Sequence, residues 1–170
     1  VKNLPSGVHK LSVLVDNSFS EASALHVEND YQSYGGISRG VMLEQLPKHY
    51  IKQLHFTPVC KDDTWYAQLE LVIASLDGKP WKGKVSVSLK GCDDVNENVL
   101  YTQSCSTGAG ELVLKSDMIA CKNAKPWAPE HPTLYMLSAQ LEDEDGKVID
   151  DLTDRVGFRE VKTQGKDILL

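Results

Sequence analysis

The sequence has 170 residues, 41% of them hydrophobic and 25% charged, the mix of a globular chain rather than a disordered one. Lys and Arg number 18 against 24 Asp and Glu, a formal net charge of −6 with no basic run, which argues against nucleic acid and anionic membrane as partners. No apolar run approaches the ~20 residues of a membrane helix, and the length suits one ordinary domain, or one domain with part of another.

Along the chain the dominant hydrophobic period is two. Leu11, Val13 and Val15 alternate first, and a second strand is expected near 39–46. Between them Asn17–Gly36 is polar and long for a loop in a compact domain. Two strands do not make a stable sheet, so residues 1–48 read as the last portion of a β-domain, with the boundary at Leu46-Pro47-Lys48-His49.

From Tyr50 onward the alternation is denser. It predicts seven strands: 50–58, 64–75, 83–91, 97–104, 110–115, 133–142 and 147–161. Leu69, Leu71, Val87, Leu137 and Phe158 fall on the inward parity. Turn chemistry separates the runs, with Asp77-Gly78 and Asp145-Gly146 the clearest cases. The last run carries Asp150, Asp151 and Asp154, so a bulge or loop is expected inside it. Asp117–Ala124 has room for one short helical turn. Seven short strands in this length fit an immunoglobulin-like sandwich, an all-β fold.

Several constellations are weak as chemistry. Gly36-Ile37-Ser38-Arg39-Gly40 matches the G-x-S-x-G nucleophile elbow, but that motif needs a strand before it and a helix after it, and neither is predicted. Glu142-Asp143-Glu144-Asp145 has the wrong spacing for a calcium loop and reads as a solvated hairpin tip. Asp150, Asp151 and Asp154 read as solvated strand acids rather than a catalytic pair. Cys60, Cys92, Cys105 and Cys121 form no C-x-x-C pair and read as free or buried thiols; no metal site or cofactor is expected. Trp127 precedes two prolines and is expected to cap the sandwich core; stacking on a sugar ring is the alternative.

Four stretches, in order, resemble glycoside hydrolase family 2, the β-galactosidase and β-glucuronidase family. Leu4–Asn17 is similar to a late strand of that family's sugar-binding jelly roll. Asp30–Leu43 resembles its D-x-x-x-Y-x-G-I-x-R signature, with Gly36, Ile37 and Arg39 in place and Ser38 where an aromatic or His is usual. Trp127–Tyr135 resembles W-x-P-E-x-P-x-L-Y, carrying Trp127, Pro129, Pro132 and Tyr135. Arg155–Arg159 resembles R-x-G-F-R, carrying Gly157, Phe158 and Arg159.

The resemblance implies residues 1–48 as the end of the jelly roll, 49–162 as the immunoglobulin-like domain, and 163–170 as a linker to a (β/α)₈ barrel. It implies an exo-acting retaining β-glycosidase of bacterial carbohydrate catabolism, whose two catalytic Glu lie on that barrel and not in these residues. The chain by itself is then expected to be inactive. Its partners would be the barrel, the rest of the jelly roll and, through the whole enzyme, a β-linked glycoside; a homo-oligomer stays open. Asp30 aligns with an acid that reaches the sugar, whereas Arg39 and Arg159 are expected to hold loops or domain contacts through bidentate pairs. The Gly35-Gly36-Ile37 stretch tilts away from β-mannosidases, which carry Trp there. Because the chain starts at Val1 without a leader, its N-terminus reads as trimmed and gives no compartment; periplasmic or extracellular placement is favoured and cytoplasmic stays open. The rival reading is a stand-alone fibronectin-like or immunoglobulin-like binding or adhesion module.

Overall fold

The structure is a computed structural model that describes residues 4–16, 18, 35–92, 97–108 and 110–169. It divides into two compact units, Val1–Glu44 and Gln45–Leu170. No helix occurs among the described residues.

In the first unit the described residues 8–16 and 39–44 form no strand, contrary to the sequence expectation. A strand exists only where a ladder partner supplies hydrogen bonds, and no such partner lies among the described residues. The apolar positions are correspondingly open, with Val8, Leu11, Leu14, Met42 and Leu43 all strongly exposed. Most of the long polar stretch 17–36 lies outside the described residues.

The described residues of the second unit form ten strands. They are β1 (His49–Lys61), β2 (Thr64–Ser75), β3 (Trp81–Gly91), β4 (Asn98–Thr107), β5 (Glu111–Lys115), β6 (Ile119–Ala120), β7 (Tyr135–Asp143), β8 (Val148–Val156), β9 (Lys162–Gln164) and β10 (Asp167–Leu169). One sheet runs β1-β2-β5, with β6 continuing the β5 edge against β2; the other runs β4-β3-β7-β8. All these ladders are antiparallel. The predicted strands correspond to β1–β5, β7 and β8. The short helical turn expected at Asp117–Ala124 is instead the two-residue β6 followed by a turn in which the Ala124 N–H donates to the Cys121 carbonyl at 3.0 Å.

Period-two alternation sends Leu69, Leu71 and Ile73 of β2 inward against Val85 and Val87 of β3 and Leu137, Ala139 and Leu141 of β7. Every one of these is 1% exposed or less, as is Phe158. The β1–β2 hairpin turns through Asp62 and Asp63 with φ of 46° and 57°, the two left-handed positions of a type I′ turn. The β7–β8 hairpin turns at the acidic tip, where the Asp143 carboxylate accepts the Asp145 and Lys147 N–H groups at 3.1 and 2.9 Å.

Three irregularities shape the edges. In β1 the register slips between Ile51 and Gln53. In β8 the expected bulge is present: Leu141 faces Asp150 and Glu142 faces Val148, which leaves Ile149 without an opposite residue. Between β5 and β6 the chain bulges at Ser116–Met118. There the Ser116 N–H donates to the Leu69 carbonyl, and the Leu69 N–H donates to the Ser116 hydroxyl, each at 2.9 Å. Residues 162–169, read from sequence as running into a linker, fold back as the β9–β10 hairpin about Gly165.

Candidate functional site

The two later signature stretches meet at one end of the sandwich. Phe158 leaves β8 just past Gly157 and forms a parallel bridge with Pro126. The Trp127 N–H donates to the Phe158 carbonyl at 2.8 Å. Proline at 129 and 132 stiffens the intervening loop. Ala128 and His131 exchange backbone hydrogen bonds across Pro129-Glu130 at 3.0 and 3.1 Å. The chain then enters β7 at Tyr135, whose hydroxyl accepts the Lys125 N–H at 2.8 Å.

Phe158 is the hub. Its ring meets Phe56 and Tyr135 edge-on at centroid distances of 5.3 and 5.2 Å, and Trp65 at 5.8 Å. Edge-to-face geometry of this kind adds to plain area burial. Gly157 allows a close approach: a Cβ there would lie 3.3 Å from the Trp127 Cβ, a tight contact, and 3.5 Å from Leu134 Cδ2, an ordinary one. Arg159 then lays its guanidinium over the Trp127 ring, 4.5 Å from the centroid.

Trp127 is half-buried beside the core, and its ring face is taken by Arg159. That contact corrects one expectation. Arg159 works through that cation–π contact, and no described carboxylate pairs with it. Gly36, Ile37 and Arg39 lie exposed in the first unit, Gly36 with φ of 111°. Asp30 falls outside the described residues.

Asp150 corrects a second. Rather than a solvated strand acid, its carboxylate accepts the Ile51 N–H at 2.7 Å and joins the two sheets. Trp81 was not singled out from sequence, although its motif is legible: Trp81-Lys82-Gly83 puts a bulky and a null side chain two apart on one strand face. The Trp81 ring folds over Gly83, where a Cβ would overlap both that ring and the Glu142 carbonyl. His49 stacks on Trp81 at 5.9 Å.

The chemistry of the site is architectural. The cysteines are free thiols. Burial raises the pKa values of Cys105 and Cys121, which makes them poor nucleophiles at neutral pH. Among the described residues no cluster of three metal-ligating side chains occurs. What the geometry does is fix where the chain leaves the sandwich after Arg159.

The family model of glycosyl hydrolases family 2 matches residues 49–159, the span that carries both signatures just described. The chain belongs to glycosyl hydrolase family 2. Similar proteins include a putative β-glucuronidase of Formosa agariphila, 30% identical over 162 residues covering 92% of this chain and 18% of that protein. A β-galactosidase of Bifidobacterium adolescentis is 29% identical over 91% of this chain and 14% of its own length. Among solved structures, the family 2 β-galacturonidase of Eisenbergiella tayi bound to galacturonate superposes with a TM-score of 0.79 at 44% identity, over 91% of this chain and 27% of that one. The chain thus spans well under a third of each of these relatives. The all-β sandwich expected from the sequence is the fold that this family membership carries.

Proposed function

We propose that these residues are the non-catalytic β-sandwich region of an exo-acting retaining β-glycosidase, holding a sugar-binding jelly roll against a catalytic (β/α)₈ barrel. On this reading residues 1–48 end the jelly roll and 49–162 are the immunoglobulin-like spacer. The observation that carries it is the family match over 49–159 together with the small share of each relative that the chain spans. The exposed alternating residues of the first unit support it, since they are strand-like in sequence and have no ladder among the described residues. Asp30 is proposed to contact a sugar hydroxyl in the whole enzyme. The β-galacturonidase at 44% identity supports a β-linked uronide as substrate, with galactosides and glucuronides next.

The test is expression of the complete reading frame that contains these residues. It should hydrolyse aryl β-glycosides with retention, the uronides fastest, whereas the 170-residue chain alone should hydrolyse none. A reading frame without a barrel, or turnover by the chain alone that a single acid substitution abolishes, overturns the reading.

A further inference from the structure

The sandwich closes asymmetrically. On one side β1 lies against β8, tied by Asp150. On the other, the facing edges are β4 and the broken β5–β6, and near their ends a cleft of about 540 Å³ opens. That volume lies within the ~300–1,000 Å³ range of small-molecule sites.

Its floor is apolar, including Leu100 and Ile119, which are half-buried against the core. Its rim is polar and exposed: Asn98, Lys122, Asn123 and Lys125. Among the described residues no acid lines it, although the chain as a whole carries −6. Lys52, Lys84, Lys115 and Lys162 each pair with a carboxylate. Among the described residues no carboxylate pairs with Lys122 or Lys125. Their stems are nonetheless placed: the Cys121–Ala124 turn carries Lys122, and the Tyr135 hydroxyl holds the Lys125 N–H.

From this arrangement we propose that the cleft is a second sugar site, binding a carboxylate-bearing saccharide such as a uronic acid unit of an oligosaccharide. The two ammonium groups meet the carboxylate, the two asparagine amides meet ring hydroxyls, and the apolar floor takes the C–H face of the ring. A small inorganic anion would leave the amides and the floor unused. A neutral sugar would leave both ammonium groups without a counter-charge.

The experiment is titration of the isotopically labelled 170-residue chain with digalacturonate and with its neutral counterpart digalactose, followed by amide shifts. These differ only in the C6 carboxylates. Digalacturonate should give saturable shifts confined to Asn98 and residues 119–125, weakening as salt rises. Replacing both lysines, Lys122→Gln with Lys125→Gln, should weaken binding roughly tenfold or more while the melting temperature holds, since contacts to a charged group dominate. The paired Lys→Arg variant should keep it. The proposal fails on no saturable shift, on equal binding of digalactose or of a polyglutamate peptide, or on unchanged affinity in the Gln variant.

Discussion

The carboxylate of Asp150 accepts a hydrogen bond from the backbone N–H of Ile51 at 2.7 Å, across 99 residues of sequence. Both partners sit beside register slips, Ile51 in β1 and Asp150 in β8. The slips bring together a backbone donor and a side-chain acceptor from different sheets. Ile51 is 4% exposed, so without Asp150 its N–H would lose this partner away from water.

Asp150→Ala should therefore destabilise the chain by about 1–3 kcal/mol, the cost of a buried donor left unpaired. Asp151→Ala, on an exposed neighbour, should change it by less than about 0.5 kcal/mol. Urea unfolding compares the two, and equal effects would remove the inter-sheet role from Asp150.

Gly83→Ala should cost about 2–3 kcal/mol, because the new methyl meets the Trp81 ring and the backbone of β7, neither of which is a flexible chain end. Gly108→Ala, with open space around it, is the control. A melting temperature unchanged by Gly83→Ala would show that the ring moves aside freely.

Phe158→Ala should cost about 3–5 kcal/mol, a large part of the ~5–15 kcal/mol that stabilises a typical domain. Near-ultraviolet circular dichroism should lose its aromatic signal at the same time, since three rings lose their common neighbour. Unfolding with an unperturbed aromatic spectrum would contradict the hub.

Stability should fall on acidification below about pH 4.5, in the ordinary carboxylate range. The Lys115 ammonium, 2.5 Å away, holds the Glu70 carboxyl below that range, and the Lys79 N–H does the same for Asp77. Carboxyls depressed in the folded state contribute above their unfolded value and lose that contribution as pH falls through the folded one. Lys52 and Lys162 are raised by Glu111 and Glu160, so their contribution persists until pH rises past the ordinary lysine range. Asp77, Lys52 and Lys162 are exposed and Glu70 is half-buried at the sheet surface, so the slope should be shallow, and Glu70→Gln with Asp77→Asn should flatten the acid limb. An identical acid limb in that double variant would assign it elsewhere.

In the complete enzyme, Asp30→Asn should lower kcat/KM by roughly tenfold to a hundredfold, the loss of about 1.5–3 kcal/mol from one charge-assisted hydrogen bond. The melting temperature should stay put. A change within a factor of two would make Asp30 a turn former.

The sandwich was legible because its strands carry a period-two pattern: Val85-x-Val87-x-Leu89 alternates with Ser86 and Ser88, and Ala67-x-Leu69-x-Leu71 alternates with Gln68 and Glu70. The same pattern at Leu11-x-Val13-x-Val15 predicted a strand that the described residues do not form, because alternation reports a preference while a ladder needs a partner. The two later signatures marked residues that meet at one end of the sandwich, but not through which contacts. Arg159 as a bidentate anchor and Arg159 as a cover for Trp127 satisfy the same motif. Asp150 was opaque for another reason: whether an acid is solvated or bonded depends on slips in two distant strands, and although the acids of β8 marked its bulge, the slip in β1 has no local sequence mark.

The Ser116 hydroxyl has a consequence for solubility. By accepting the Leu69 N–H where a ladder carbonyl would stand, it splits the outer strand into pieces of five and two residues. A foreign strand needs an unbroken row of donors and acceptors to add to a sheet, and short or bulged edges deny it one. A single oxygen atom thus acts as a stop signal, keeping this rim of the sandwich from templating its own aggregation.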